Sequence, residues 1–419
     1  MQRSMIIKWV RTGVCLSCLP WSLALCAGET ACNAGSAGNP YQQWALGPSK
    51  GKDYFPVGVW LQDPSLAPRY QAAGFNLYLD LWEGPTEDQL AVLKKFNMPV
   101  ICKQNAVALA HLTDPFIVGW IQPDEPDNAK PFKYFWSNSV SRIQAAWPGL
   151  FDGFGTNKPY TGYGPPIPCA WIIREYEAMR ARDPRRPVIL GMGDGVARPE
   201  FHGRGERAGK PEDYLEYLKG CDIAGFDTYP VNYKTNRRHV ADGVTNLRKW
   251  SKDRKVVWNT IECTGLARPR DTRAEVWMSL IHGSMGISFF VHELKDGLLG
   301  SSDRALLHDA EMLAEVTRIN HQIHTLAPVL NTPSSTTPAT VVTTNKDTPV
   351  DSMTKAIGAT VYVFSVAMQE GETKAVFTVP GVKSGKVAVL GENRTISMDG
   401  DHFEDSFRDW DVHLYEITR

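Results

Sequence analysis

Two acids stand side by side at the end of the run Phe116-Ile-Val-Gly-Trp-Ile-Gln-Pro-Asp-Glu-Pro126. An apolar, β-branched stretch that stops on Asp124 and Glu125 places carboxylates at the mouth of a buried strand. Desolvating a charge there costs free energy that Ser or Thr would not, so the pair reads as chemistry. A second run of the same shape, residues 255–264, carries Glu262 near its end. Two carboxyls facing one another can open an acetal. One protonates the leaving oxygen, while the other attacks the anomeric carbon or activates water.

Such a pair needs a scaffold that brings distant strand ends to one place. Eight apolar runs, at 55–61, 75–82, 99–103, 116–126, 187–192, 221–230, 255–262 and 286–293, alternate with helical patterns. Thr86-Glu-Asp-Gln89 has capping-box spacing before a helix that turns Leu90, Leu93 and Phe96 inward. Further helices are expected over 65–73, 106–112 and 170–182, and one ending near Lys252. Another is expected to be capped by Thr272-Arg-Ala-Glu275. The last covers 303–326, with Leu306, Ala310, Leu313, Val316 and Ile323 on one face. Strands that are unbroken apolar runs belong to a parallel sheet buried on both sides. The predicted fold is therefore α/β, a closed (β/α)8 TIM barrel. An open doubly wound sheet is the alternative, but Gly191-Met-Gly193 lacks the third glycine and the following helix of a dinucleotide site.

Barrel strands deliver their C-terminal residues to one shared cleft. Read in order, those ends are Trp60, Trp82 with Glu83, Lys103-Gln104-Asn105, Asp124-Glu125, Asp194, Asp227 with Tyr229, Glu262, and His292-Glu293. Acids predominate, with aromatics and amides around them. This is an inventory for breaking a glycosidic bond. Expected substrate contacts are Asp124, Asp227, Tyr229, Trp60, Trp82, Lys103, Asn105, His292 and Glu293. The arginines of the 202–208 loop raise uronic-acid substituents as a side hypothesis. No metal or cofactor motif is present, and none is expected.

An acid followed by Pro at the end of strand four, with a Glu ending strand seven, resembles the large clan of retaining glycosidases built on (β/α)8 barrels. The resemblance spans residues 53–419 through strand order and strand ends. It implies that Glu125 is the acid/base and Glu262 the nucleophile, with Tyr229 supporting the nucleophile. It also implies β-linked oligo- or polysaccharide substrates. The clan has Asn before its acid/base, and here Asp124 stands in that place. Strand eight ends in Phe290-Val-His-Glu293 where the clan supplies Trp.

The bulk numbers agree with a globular chain. Lysine and arginine total 45 against 46 acids over 419 residues, which points to neither nucleic acid nor an acidic tail. Lys8 and Arg11 precede a short apolar stretch and Cys26-Ala27-Gly28, the pattern of a signal peptide over 1–28, so export to the periplasm or outside is expected. Cys32, Cys102, Cys169, Cys221 and Cys263 remain after it, an odd set without metal spacing. The barrel is expected over 29–330. A Pro/Ser/Thr-rich stretch from Asn331 then opens a small antiparallel domain, 331–419, with period-two runs at 359–366, 374–379 and 412–417. Two other readings stand beside the enzyme. One is a barrel that holds glycans without cutting them. The other is a metal-dependent hydrolase using Asp194, Asp227, His292 and Glu293. Oligomeric state is not legible in the sequence.

Overall fold

The computed structural model describes residues 39–129, 145, 165–201, 205, 207–295 and 298–418. The expected signal peptide, most of the segment after strand four and part of the 202–208 loop lie outside them.

Eight parallel strands close into a barrel. They are β1 (Val57–Trp60), β2 (Leu77–Leu79), β3 (Val100–Cys102), β4 (Ile117–Ile121), β5 (Val188–Met192), β6 (Ile223–Asp227), β7 (Val256–Glu262) and β8 (Gly286–Phe290). Closure is direct, since β1 pairs in parallel with both β2 and β8. Alternation along each strand sends one set of side chains inward. Leu77, Leu79, Ile101, Val118, Ile121, Ile189, Ile223, Val256 and Trp258 form that inner cluster together with Tyr41 and Trp44. Tyr41 comes from the 3-10 turn Pro40–Gln43 in the stretch before β1. Its hydroxyl accepts from Trp258 Nε1 at 2.8 Å and donates to the Met285 carbonyl at 2.7 Å.

The surrounding helices are α1 (Ala67–Ala72), α2 (Glu87–Lys95), α3 (Ala106–Ala110), α4 (Cys169–Arg182), α5 (Glu212–Tyr217), α6 (His239–Ser251), α7 (Pro269–Ile281) and α8 (Ala310–Leu330). The capping box at Thr86 and Gln89 is formed as its spacing predicts. Two expectations are corrected. Helix α7 begins at Pro269, with Arg268 and Asp271 closing its first turn. Thr272 and Glu275 therefore lie inside the helix and are fully buried. The last helix is capped by Asp309, not Asp303, and runs on to Leu330 through Pro328. Leu306 belongs to a separate 3-10 turn before it. Helix α5 has no counterpart in the predicted pattern.

After β8 a short hairpin forms from β9 (Leu294–Lys295) and β10 (Leu298–Leu299). The C-terminal part is all antiparallel, as expected. A three-stranded sheet contains β11 (Thr340–Thr343), β14 (Glu372–Thr378) and β17 (His402–Arg408). A five-stranded sheet contains β12 (Val350–Ile357), β13 (Thr360–Ala367), β15 (Lys386–Val389), β16 (Arg394–Ser397) and β18 (Val412–Thr418). The stretch between barrel and sheets is anchored at its start, because Asn331 Nδ2 donates to the carbonyls of Lys52 and Tyr54. Among the described residues, no helix is long and apolar enough to cross a membrane.

Candidate active site

A cavity of 390 Å³ opens at the C-terminal end of the barrel. Asp124 and Glu125 reach it from the end of β4, and Asp227 and Tyr229 from the end of β6. Thr260 and Ser288 lie beneath, with Oγ atoms 2.6 Å apart across β7 and β8. Trp60, Tyr233, Phe290, Leu294 and Leu299 supply apolar and aromatic walls. Flat aromatic faces beside carboxyls suit a ring with an apolar face and a polar edge.

Local backbone geometry explains how the two β4 acids arrive there. Glu125 has φ +44°, a left-handed conformation that costs a non-glycine residue about 1–3 kcal/mol. Its N–H donates to the Gly191 carbonyl at 2.9 Å, which ties the strained residue to β5. Asp127, two residues on, accepts from Gly193 N–H at 2.9 Å and from the Tyr214 hydroxyl at 2.8 Å. Gly193 also makes room, since a Cβ there would stand 3.0 Å from Glu125 Oε1. Asn128 Nδ2 donates to Glu125 Oε2 at 3.1 Å and orients the carboxyl.

Asp227 lies deeper. Burial pushes its carboxyl well above the ordinary range, and the charges of Glu125 and Asp124 push the same way. Tyr229, whose hydroxyl is within hydrogen-bonding reach of Asp227, pulls partly against that shift. Asp227 is thus a carboxyl of raised proton affinity in the same cavity as Glu125. Such a pair is what acid-assisted bond cleavage requires.

Glu262 takes a different place from the one expected. It is 0% exposed and does not line the cavity. Oε1 accepts from Val231 N–H at 2.7 Å, and Oε2 from Asn232 N–H at 3.1 Å and Asn232 Nδ2 at 2.5 Å. The loop after β6 folds over the end of β7 and uses this carboxylate as its anchor, and of the two expected catalytic acids only Glu125 lines the cavity.

Several other expected contacts are engaged elsewhere. Asn105 caps α3 by accepting from Ala108 N–H at 2.9 Å, and its amide donates to the Pro85 carbonyl. Gln104 is turned toward α4, where its Nε2 donates to the Met179 carbonyl. Lys103 pairs with Asp80 at 3.1 Å and so ties β3 to β2. Trp82 stands 69% exposed outside the cavity lining. His292 meets Gln62 Nε2 at 3.1 Å and stacks on Phe290, and burial lowers its proton affinity. Glu293 accepts from the N–H groups of Ser301 and Ser302, joining the two ends of the β9–β10 hairpin at its base. Asp194 is paired with Arg198 and accepts from Thr228 Oγ1 at 2.5 Å.

The four residues of the metal-hydrolase reading therefore have separate tasks. Among the described residues no group of three His, Cys, Asp or Glu is arranged to hold a metal. Arg207 donates to Asp213 at 3.0 Å, and Arg204, the loop's other arginine, lies outside the described residues. Cys263 is fully buried, and burial raises its thiol well above the ordinary range.

Asn128, Tyr233, Thr260, Ser288 and Phe290 line the cavity without having been singled out from the sequence. For Thr260 a signal existed: period-two alternation from Val256 and Trp258 points it inward. Asn128 and Tyr233 sit on loops, where no periodicity applies.

Fold and cleft together define a (β/α)8-barrel protein with an acidic, aromatic-walled site and an appended antiparallel β domain. No family model matches the sequence, and no curated protein does. Among solved structures, the chain is similar to an α-amylase from Geobacillus thermoleovorans complexed with acarbose. There the identity is 10%, the TM-score 0.48, and coverage 88% of this chain and 99% of that one. It is also similar to a GH30 endoxylanase from Clostridium papyrosolvens C71, at 10% identity and TM-score 0.44, covering 92% and 98%. A maltogenic α-amylase from Thermotoga neapolitana matches at 10% identity and TM-score 0.48, covering 88% and 99%. Likeness at this level says nothing about shared residues or reactions.

Proposed function

We propose that the chain is a glycoside hydrolase that cleaves a neutral oligo- or polysaccharide with Glu125 and Asp227 as its carboxyl pair. The observation that carries the reading is their convergence on one cleft, where burial and the charge of Glu125 raise the proton affinity of Asp227. In this reading Asp227 protonates the leaving oxygen and Glu125 attacks the anomeric carbon. After the aglycone departs, Asp227 draws the proton from water, which releases the sugar from Glu125. The nucleophile's part that the sequence resemblance gives to Glu262 passes to Glu125, and the acid/base part it gives to Glu125 passes to Asp227. The electrostatic pressure of Glu125 on Asp227 supports a short separation. Retention goes with about 5–5.5 Å between carboxyls and inversion with about 6.5–9.5 Å. β-Linked substrates are the class that the resemblance implies, and the charged-then-apolar N-terminus supports export.

The test is a panel of aryl glycosides and polysaccharides with the first-formed anomer followed by NMR. Retained product, lost in both Glu125→Gln and Asp227→Asn, is expected. Glycan binding without turnover in the wild-type chain would replace this reading by the non-catalytic one.

A further inference from the structure

Glu275, on α7, is a carboxyl with no evident reason to be where it is. It is 0% exposed, and neither of its oxygens accepts a hydrogen bond from any described residue. Its neighbour is Glu262, which takes the three N–H donors of Val231 and Asn232. The two carboxyls are near enough that each acts on the other's proton affinity.

Two ionised carboxylates cannot share a buried site, so one proton must stay between them. The donors decide which residue keeps it. Converging N–H groups favour the charged form, and all of them point at Glu262. We propose that Glu275 is a positioning residue: it keeps a proton, donates it to Glu262, and through Glu262 fixes the turn that presents Tyr229 and Tyr233 to the cleft. Burial and the charge of Glu262 push the Glu275 carboxyl well above its ordinary range, as this arrangement requires.

The charged and titratable groups facing Glu275 agree with it. Glu262 and Cys263 come from β7, Asp271 from α7 itself, and Arg237 from the segment before α6. Arg237 is the cation that acts on Glu275, and its guanidinium pairs with Asp271 at 3.0 Å. The turn is tight beyond the anchor as well. Tyr233 N–H donates to the Tyr229 carbonyl at 2.9 Å, and Thr235 N–H to the Pro230 carbonyl at 2.7 Å. Asn232 continues the clamp, donating to the Thr264 carbonyl at 3.0 Å and accepting from Leu266 N–H at 3.0 Å. A proton on α7 is thereby connected, through β7, to the tyrosines around Asp227. This holds whether the cleft cuts a glycan or only grips one.

Hydrogen exchange of the full chain, followed by mass spectrometry over 229–233, tests it. Glu275→Gln keeps an N–H donor toward Glu262 and should protect the Val231 and Asn232 amides as the wild type does. Glu275→Leu removes the donor and should speed their exchange by about tenfold or more. Raising the pH should weaken protection in the wild type and leave Glu275→Gln unchanged, a comparison that stands even if the Leu variant fails to fold. Infrared spectra at neutral pH should show a protonated carboxyl in Asp227→Asn that disappears in Asp227→Asn/Glu275→Gln. Exchange in Glu275→Gln as fast as in Glu275→Leu, or no carboxyl signal lost between the last two variants, overturns the assignment.

Discussion

Three carboxylates of similar appearance in the sequence do three different things. Glu125 and Asp227 open onto the cleft, whereas Glu262 is enclosed by donors. Their variants should separate accordingly. Glu125→Gln and Asp227→Asn should each lower turnover by about 10²–10⁴-fold with unchanged circular dichroism. Glu262→Ala leaves the Val231 and Asn232 N–H groups unpaired in the interior. It should cost about 2–4 kcal/mol of stability, read as a lowered denaturant midpoint. An unaltered midpoint together with lost activity would restore Glu262 to the chemistry. The pH dependence of Asp227 has a definite sign. Its folded-state proton affinity is raised, so its contribution to stability is complete below the ordinary carboxylate range and is lost as pH rises through the folded value. Activity that needs the protonated form falls over the same window. Asp227→Asn should flatten the stability profile there, which pH-dependent thermal melts can read. The sequence made the acids visible through their place at strand ends. It could not show which end is roofed over, because the roof of Glu262 is a loop some thirty residues earlier whose path obeys no periodicity.

Elements were legible where a pattern reports burial, and misread where a local motif had a second meaning. All eight barrel strands appear within the predicted runs, because a continuous apolar stretch has few other solutions. Thr272 and Glu275 have capping-box spacing, yet both lie inside α7, since Pro269 starts the helix earlier and tertiary packing takes the carboxyl inward. Arg186 is a comparable surprise, a fully buried arginine at the entrance of β5. Its guanidinium donates to the carbonyls of Ile117, Leu112 and Asp114 and to Asp183 Oδ2 at 2.6 Å. Burial alone would raise the Asp183 carboxyl, but Arg185 and Arg186 hold it below its ordinary range. This cluster ties the start of β4 to that of β5 beneath the site. Arg186→Met strands Asp183 without its buried partner and should cost about 3–5 kcal/mol. The stabilising part owed to Asp183 is present above the ordinary carboxylate range and fails as pH falls through the lower folded value. Denaturant unfolding at neutral and acid pH checks both statements: the gap between wild type and variant should narrow in acid.

At the scale of the molecule, the two parts that composition separates at Asn331 share one interior. The largest apolar cluster runs from Phe55, Ile261 and Phe289 of the barrel through Trp277 of α7 to Phe364, Met368, Trp410 and Leu414 of the β domain. Trp277 and Phe364 rings lie 5.3 Å apart, and the Arg237 guanidinium stands 5.0 Å over Trp410. His282 reaches Asp351 at 3.0 Å. Lys355 on β12 donates to the carbonyls of Leu330 and Thr332, closing the exposed end of α8. An interior that crosses the boundary makes the β domain part of the wall behind α7, the helix that carries Glu275. The full chain should therefore melt in one calorimetric transition, with calorimetric and van't Hoff enthalpies in agreement. Trp277→Ala removes the side chain at the centre of the junction, with an expected cost of about 3–5 kcal/mol. That loss should shift the single transition downward without splitting it. Two resolved transitions in the wild type, with Trp277→Ala moving only one, would mean that barrel and β domain fold as neighbours with separate stabilities.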